Sequence, residues 1–137
     1  MIADEDELLV SAHIEIGAIV GVRRGAADFA ARRLRKNVLE IDLDVSVTPD
    51  AAAKRVEQVL ADEGTMIRAE PSAPDAPREV VGLVGAGFRN LNPAVVTVTI
   101  HPSDYGARLV IRGAAKEGLI KQRAGEAAAK RIAAALA

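Results

Sequence analysis

Leu39-Glu40-Ile41-Asp42-Leu43-Asp44-Val45-Ser46-Val47 is the stretch that decides the fold. Apolar and polar residues alternate without a break. A strand turns successive side chains to opposite faces, so this spacing predicts a strand with one buried and one wet face. A helix start follows at once. Thr48 is a good N-cap, Pro49 suits the first helical position, and Asp50 complements the positive end of the helix dipole. Ala52, Val56, Val59 and Leu60 supply the apolar stripe. Gly64 is expected to end the helix at the left-handed C′ position.

Beyond this β-α unit, a short strand is predicted at 66–70 and an exposed loop at Pro71, Pro74 and Pro77. An extended run at 79–89 is punctuated by Gly82, Gly85 and Gly87, the pattern of a kinked or bulged strand. Asn90-Leu91-Asn92-Pro93 has turn chemistry. Residues 95–101 and 107–113 alternate and are rich in β-branched types, so they predict two strands joined by a turn at 102–106. From about residue 119 the chain is predicted helical to its end. Ile120, Ala124, Ala128, Ile132 and Leu136 step by four along one face, and Glu126 and Lys130 form an i,i+4 pair on the outside.

Towards the N-terminus the pattern is mixed. Residues 1–37 read as an arm and 38–137 as one compact unit. Val10, Ala12, Ile14 and Ile16 have strand spacing, whereas Leu8, Ala12, Ile16 and Ile19 have helix spacing. Gly17, Gly21 and Gly25 disfavour a long helix. The arm is therefore read as a strand at 8–16 and a basic helix at 26–36, with Asn37 at the C′ position.

The order β-α-β-β-β-β-α over 38–137 defines an α+β domain. Its sheet is largely antiparallel, and its helices, including the long C-terminal one, pack on one face. This element order resembles the TBP-like fold group, which includes the helix-grip domains. That resemblance spans 38–137, rests on element order, and carries over no individual residues. It implies binding of lipids or other hydrophobic ligands.

Composition narrows the function. The 137 residues suit a single domain, half of them are apolar, and 27% are charged, which is globular composition. The net charge of −1 gives no global footprint for nucleic acid or an anionic membrane. The chain has no cysteine, which excludes disulfides, thiol nucleophiles, zinc ribbons and iron–sulfur clusters. Aromatic residues make up 2%, too few for base-stacking platforms. No apolar run is long enough for a membrane span. The acidic Asp4-Glu5-Asp6-Glu7 start is unlike a signal peptide, so a cytoplasmic location is the default expectation.

Several clusters invite a chemical reading, and each has a plainer one. Glu40, Asp42 and Asp44 share a strand face. They suit a cation or acid–base pair less well than a wet sheet face paired with Arg108 and Arg112. The glycines at 82, 85 and 87 fit neither a P-loop nor a dinucleotide fingerprint. His13 and His101 lie on the polar phase of their strands, and no metal site is expected from them. Ser103 and Asp104 near His101 lack the strand–turn–helix elbow of a hydrolase. The basic run Arg23, Arg24, Arg32, Arg33, Arg35 and Lys36 is read as docking on acidic groups of the same chain rather than on nucleic acid.

No catalytic signature and no cofactor site is legible. The leading expectation is a non-enzymatic domain that binds a hydrophobic or mixed small molecule between its sheet and C-terminal helix. Leu83, Phe88, Ile120 and Ala124 are the expected lining, with Gly85, Gly87, Arg89 and Asn92 at the mouth. The alternative is an interaction module that self-associates as a homodimer without ligand.

Overall fold

The computed structural model describes residues 5–9, 35–69, 77–86, 92–117 and 123–137. The decisive alternation forms β1, Arg35–Val45. Helix α1, Pro49–Glu63, follows, with the Thr48 side chain accepting from the Ala51 amide at 3.2 Å. Then come β2 (Gly64–Ala69), β3 (Arg78–Ala86), β4 (Asn92–Ser103), β5 (Gly106–Glu117) and helix α2 (Ala124–Leu136). The five strands form one open antiparallel sheet in the order β1-β5-β4-β3-β2. The α+β architecture and its element order are as the sequence predicts.

Both helices cover one face. Leu39, Ile41, Leu43 and Val45 of β1 turn to the same side as Leu109 and Ile111 of β5 and Val96, Val98 and Ile100 of β4. Against them pack Val56 and Leu60 of α1 and Ala124, Ala128, Ile132 and Leu136 of α2. The row spaced by four thus faces the sheet, apart from Ile120, which lies outside the described residues.

Small residues set how closely the layers approach. A Cβ on Gly113 of β5 would stand 2.1 Å from the Gly125 carbonyl oxygen, and one on Gly125 would stand 2.2 Å from the Asn37 carbonyl oxygen. α2 therefore sits almost on the backbone of β1 and β5 at its N-terminal turn.

Several boundaries differ from the expectation. Residues 35–37 are not the end of a helix but the first rungs of β1, opposite Glu117, Lys116 and Ala115. The Asn37 side chain instead accepts the Glu126 amide at 2.9 Å, capping α2 from across the fold. That bond replaces a local cap, since Arg123 has φ 50° and no capping side-chain bond. Residues 5–9 are helical, so Leu8 and Leu9 do not begin a strand. Asn92 and Pro93 are in β4 opposite Ala86 and Gly85, not in a turn. Gly64 has an extended backbone with φ −173°, not a left-handed one. Glycine is needed there because a Cβ would lie 2.1 Å from the Leu83 carbonyl oxygen. The bulge lies in β2, between Met66 and Arg68, while β3 runs in regular register along β4. Gly82 leaves space on β3 for the Leu60 side chain, which a Cβ would meet at 3.1 Å.

The remaining arm expectations, at 10–16 and 26–34, and residues 118–122 lie outside the described residues.

Candidate ligand-binding cleft

α1 lies over β2 and β3, and α2 over β5 and β1. They leave a gap where β1 ends and α1 begins. The side chains there are short: Ala51 and Ala52 at the start of α1, and Ala137 just beyond α2. Leu43, Val45 and Leu109 form the floor and Leu136 one wall. The result is an apolar cleft of about 670 Å³. That volume falls within the roughly 300–1,000 Å³ of small-molecule sites. Leu43 and Val45 are only half-buried, and Val47 at the rim is 46% exposed. The strand that decides the fold therefore leaves part of its apolar face uncovered.

Charge at the cleft is sparse. Asp44 contributes to the lining, but alternation turns its side chain to the opposite face, where Arg108 is its register partner. Asp50 is taken by an ion pair with Arg78. Arg55 stands one helical turn after Ala51, and its Nη2 donates to the Ala135 carbonyl at 3.2 Å. That bond ties α1 to the last turn of α2 and holds the guanidinium at the mouth.

The residues expected to form the site are not brought together there. Ala124 is buried in the core beneath α2, whereas Leu83 faces the other side of the sheet with Val81, Val95 and Ala114. Those two do not share a cavity. Gly85 is engaged through its backbone, its carbonyl accepting from Arg131 Nη2 at 2.9 Å. Asn92 is placed in β4, while Gly87, Phe88, Arg89 and Ile120 lie outside the described residues. The sequence signal for the observed cleft was present in Leu43, Val45 and Val47. Their alternation runs past the strand end, so it carries apolar surface beyond the reach of the helices.

The opposite face is built from charge. Glu40, Asp42 and Asp44 stand along β1 facing β5. Arg112 Nη1 reaches Glu40 at 3.1 Å, and Arg108 Nη2 reaches Asp42 at 2.5 Å. The N-terminal helical segment docks on the same face. Its Leu9 is fully buried against Val81, Val95 and Ala114, with Leu8 beside it. Glu5 accepts two bonds from Arg112, at 2.9 and 3.3 Å, and lies 2.9 Å from Lys36 Nζ, which also reaches Asp6 at 2.8 Å. Burial pushes the Glu5 carboxyl up, but the bonds from Arg112 and Lys36 outweigh it and hold it below its ordinary value. The bond to Asp6 raises Lys36, seconded by that to Glu5.

His101 is half-buried on this face opposite Arg108, and Ser103 and Asp104 are exposed at the β4–β5 turn. Among the described residues no group of three His, Asp or Glu side chains is placed to hold a metal ion. No described helix is long and apolar enough to cross a membrane. The chain matches no protein-family model, and no curated protein matches it.

Proposed function

We propose that this domain binds a hydrophobic or mixed small molecule in the cleft between its sheet and C-terminal helix, without catalysing a reaction on it. The observation that carries this reading is the apolar cleft of about 670 Å³ at the end of β1, walled by both helices. A filled core would bury Leu43, Val45 and Val47, and here they are half-buried or exposed. A ligand removes that surface from water, worth about 25 cal/mol for each Å².

A neutral apolar dye such as Nile red tests the reading. The wild-type protein should bind it with a blue-shifted emission. Ala51→Trp, at an exposed lining position, should abolish the signal while leaving the thermal midpoint nearly unchanged. Equal dye binding by that variant would overturn the assignment of the cleft.

A second reading, self-association, is supported by β2. Among the described strands it lies at the edge, and its Met66 and Ile67 are 40% and 41% exposed. An open edge with apolar side chains is a template for pairing. The Ala-rich face of α2 favours it less, because Ala124, Ala128 and Ala129 are buried against their own sheet. Native mass spectrometry separates the readings. Extra mass on a 14.4 kDa chain supports the binder, and an unliganded species of twice that mass supports the module.

A further inference from the structure

Seven arginines have described side chains. Six of them, Arg68, Arg78, Arg108, Arg112, Arg123 and Arg131, stand within ion-pair distance of a carboxylate. Arg55 is the exception, and it is the one at the mouth of the cleft. Its helix offers no acidic neighbour one turn away, since residues 51 and 59 are Ala and Val. Of the acids nearby, Asp50 is paired with Arg78, and Asp44 alternates to the far face of β1. Arg55 uses one N–H on the Ala135 carbonyl, which fixes its place and leaves most of its donor fork open.

We propose that the cleft takes an anionic amphiphile, its apolar body on Leu43, Val45 and Leu109 and its carboxylate or phosphate head on the Arg55 guanidinium. The proposal rests on the cleft being a binding site. The geometry suits such a molecule because apolar walls meet the Arg55 guanidinium, which makes no ion pair among the described residues. A guanidinium binds planar carboxylates and phosphates through paired N–H bonds, and it stays charged at every physiological pH.

The test compares decanoate, decyl phosphate and decanol, titrated below their micelle concentrations by calorimetry. One or both anions should bind about tenfold tighter than decanol, the size expected of a charge-assisted contact at a partly wet rim. Arg55→Gln should erase that preference and leave decanol binding unchanged. Arg55→Lys should keep most of it, and unchanged circular dichroism and thermal midpoint in both variants should show that the end of α2 remains folded. Decanoate and decyl phosphate distinguish a carboxylate ligand from a phosphate one. If decanol binds as tightly as both anions, the head-group assignment fails and the cleft stands. If the preference survives Arg55→Gln, another group holds the head and the assignment again fails. If none of the three binds, the cleft reading itself falls.

Discussion

On the helix side of the sheet, Val96, Val98, Ile100, Leu109 and Ile111 are covered by α1 and α2 in one continuous core. On the other side, Val81, Val95 and Ala114 form a small cluster around Leu9, and the rest of the β1–β5 surface is finished by carboxylate–guanidinium pairs. The same strands supply both faces. The difference teaches where stability and adaptability reside. Close backbone approach at Gly113 and Gly125 locks the first face, whereas a short helical segment and screened ion pairs close the second. The cleft lies on the first face, at the opposite end of α2 from that close approach.

The largest effect should come from Gly113→Val. Its Cβ would meet the Gly125 carbonyl at 2.1 Å and the Ala129 Cβ at 2.9 Å. Backbone cannot retreat there, because Asn37 pins the first turn of α2. Overpacking of this kind costs about 3 kcal/mol or more, read as a fall in the urea midpoint. A smaller loss than at Leu9 would break the contrast between the faces.

Leu9→Ala should have the intermediate effect. It removes a fully buried side chain and costs about 2 kcal/mol, confined to docking of the segment. Hydrogen exchange at 5–9 should accelerate while the global midpoint moves little. The same docking should be acid-sensitive. Glu5 has a lowered pKa when folded, so its contribution is present above 4.5 and is lost as pH falls through the lowered value. Asp6 acts in the same direction, its pKa lowered chiefly by the bond from Lys36. Protection at 5–9 should therefore fall in acid below pH 4.5, and Glu5→Gln should leave only the part carried by Asp6.

The smallest effect belongs to Arg108→Ala. Its pair with Asp42 is more than half exposed on both sides, and such pairs contribute about 0.5 kcal/mol or less. A larger loss in the urea midpoint would show that the ion-paired face is cooperative rather than a set of screened contacts.

The fold was legible where a pattern had one interpretation. β1 alternates cleanly, Thr48-Pro49-Asp50 starts α1, and Ala124, Ala128, Ile132 and Leu136 repeat every turn. Legibility failed on β3, where Val80, Val81, Leu83 and Val84 are apolar on both phases. Val80 and Val84 face the helices and Val81 and Leu83 face the helical segment at 5–9, so sequence alone does not say which side a given residue takes. That ambiguity led to pairing Leu83 with Ala124. The cleft was hidden for another reason. Its walls come from 43–47, 51–55, 109 and 136–137, and only tertiary packing sets the gap between them. Asn37 was missed because its partner, the Glu126 amide, is 89 residues away.

The position of β1 has a consequence for how the chain is made. It lies at the edge of the described strands, and all 11 of its residues pair with β5, which begins only at Gly106. At about 5–20 residues per second of synthesis, β1 waits several seconds for β5, its neighbour among the described strands. During that wait its apolar residues, from Leu39 to Val45, lack the β5 pairing that holds them in the sheet. The interleaved Glu40, Asp42 and Asp44 keep the waiting strand charged and unfit for pairing with its copies. The carboxylates thus give the strand its charge well before their partners Arg108 and Arg112 are made.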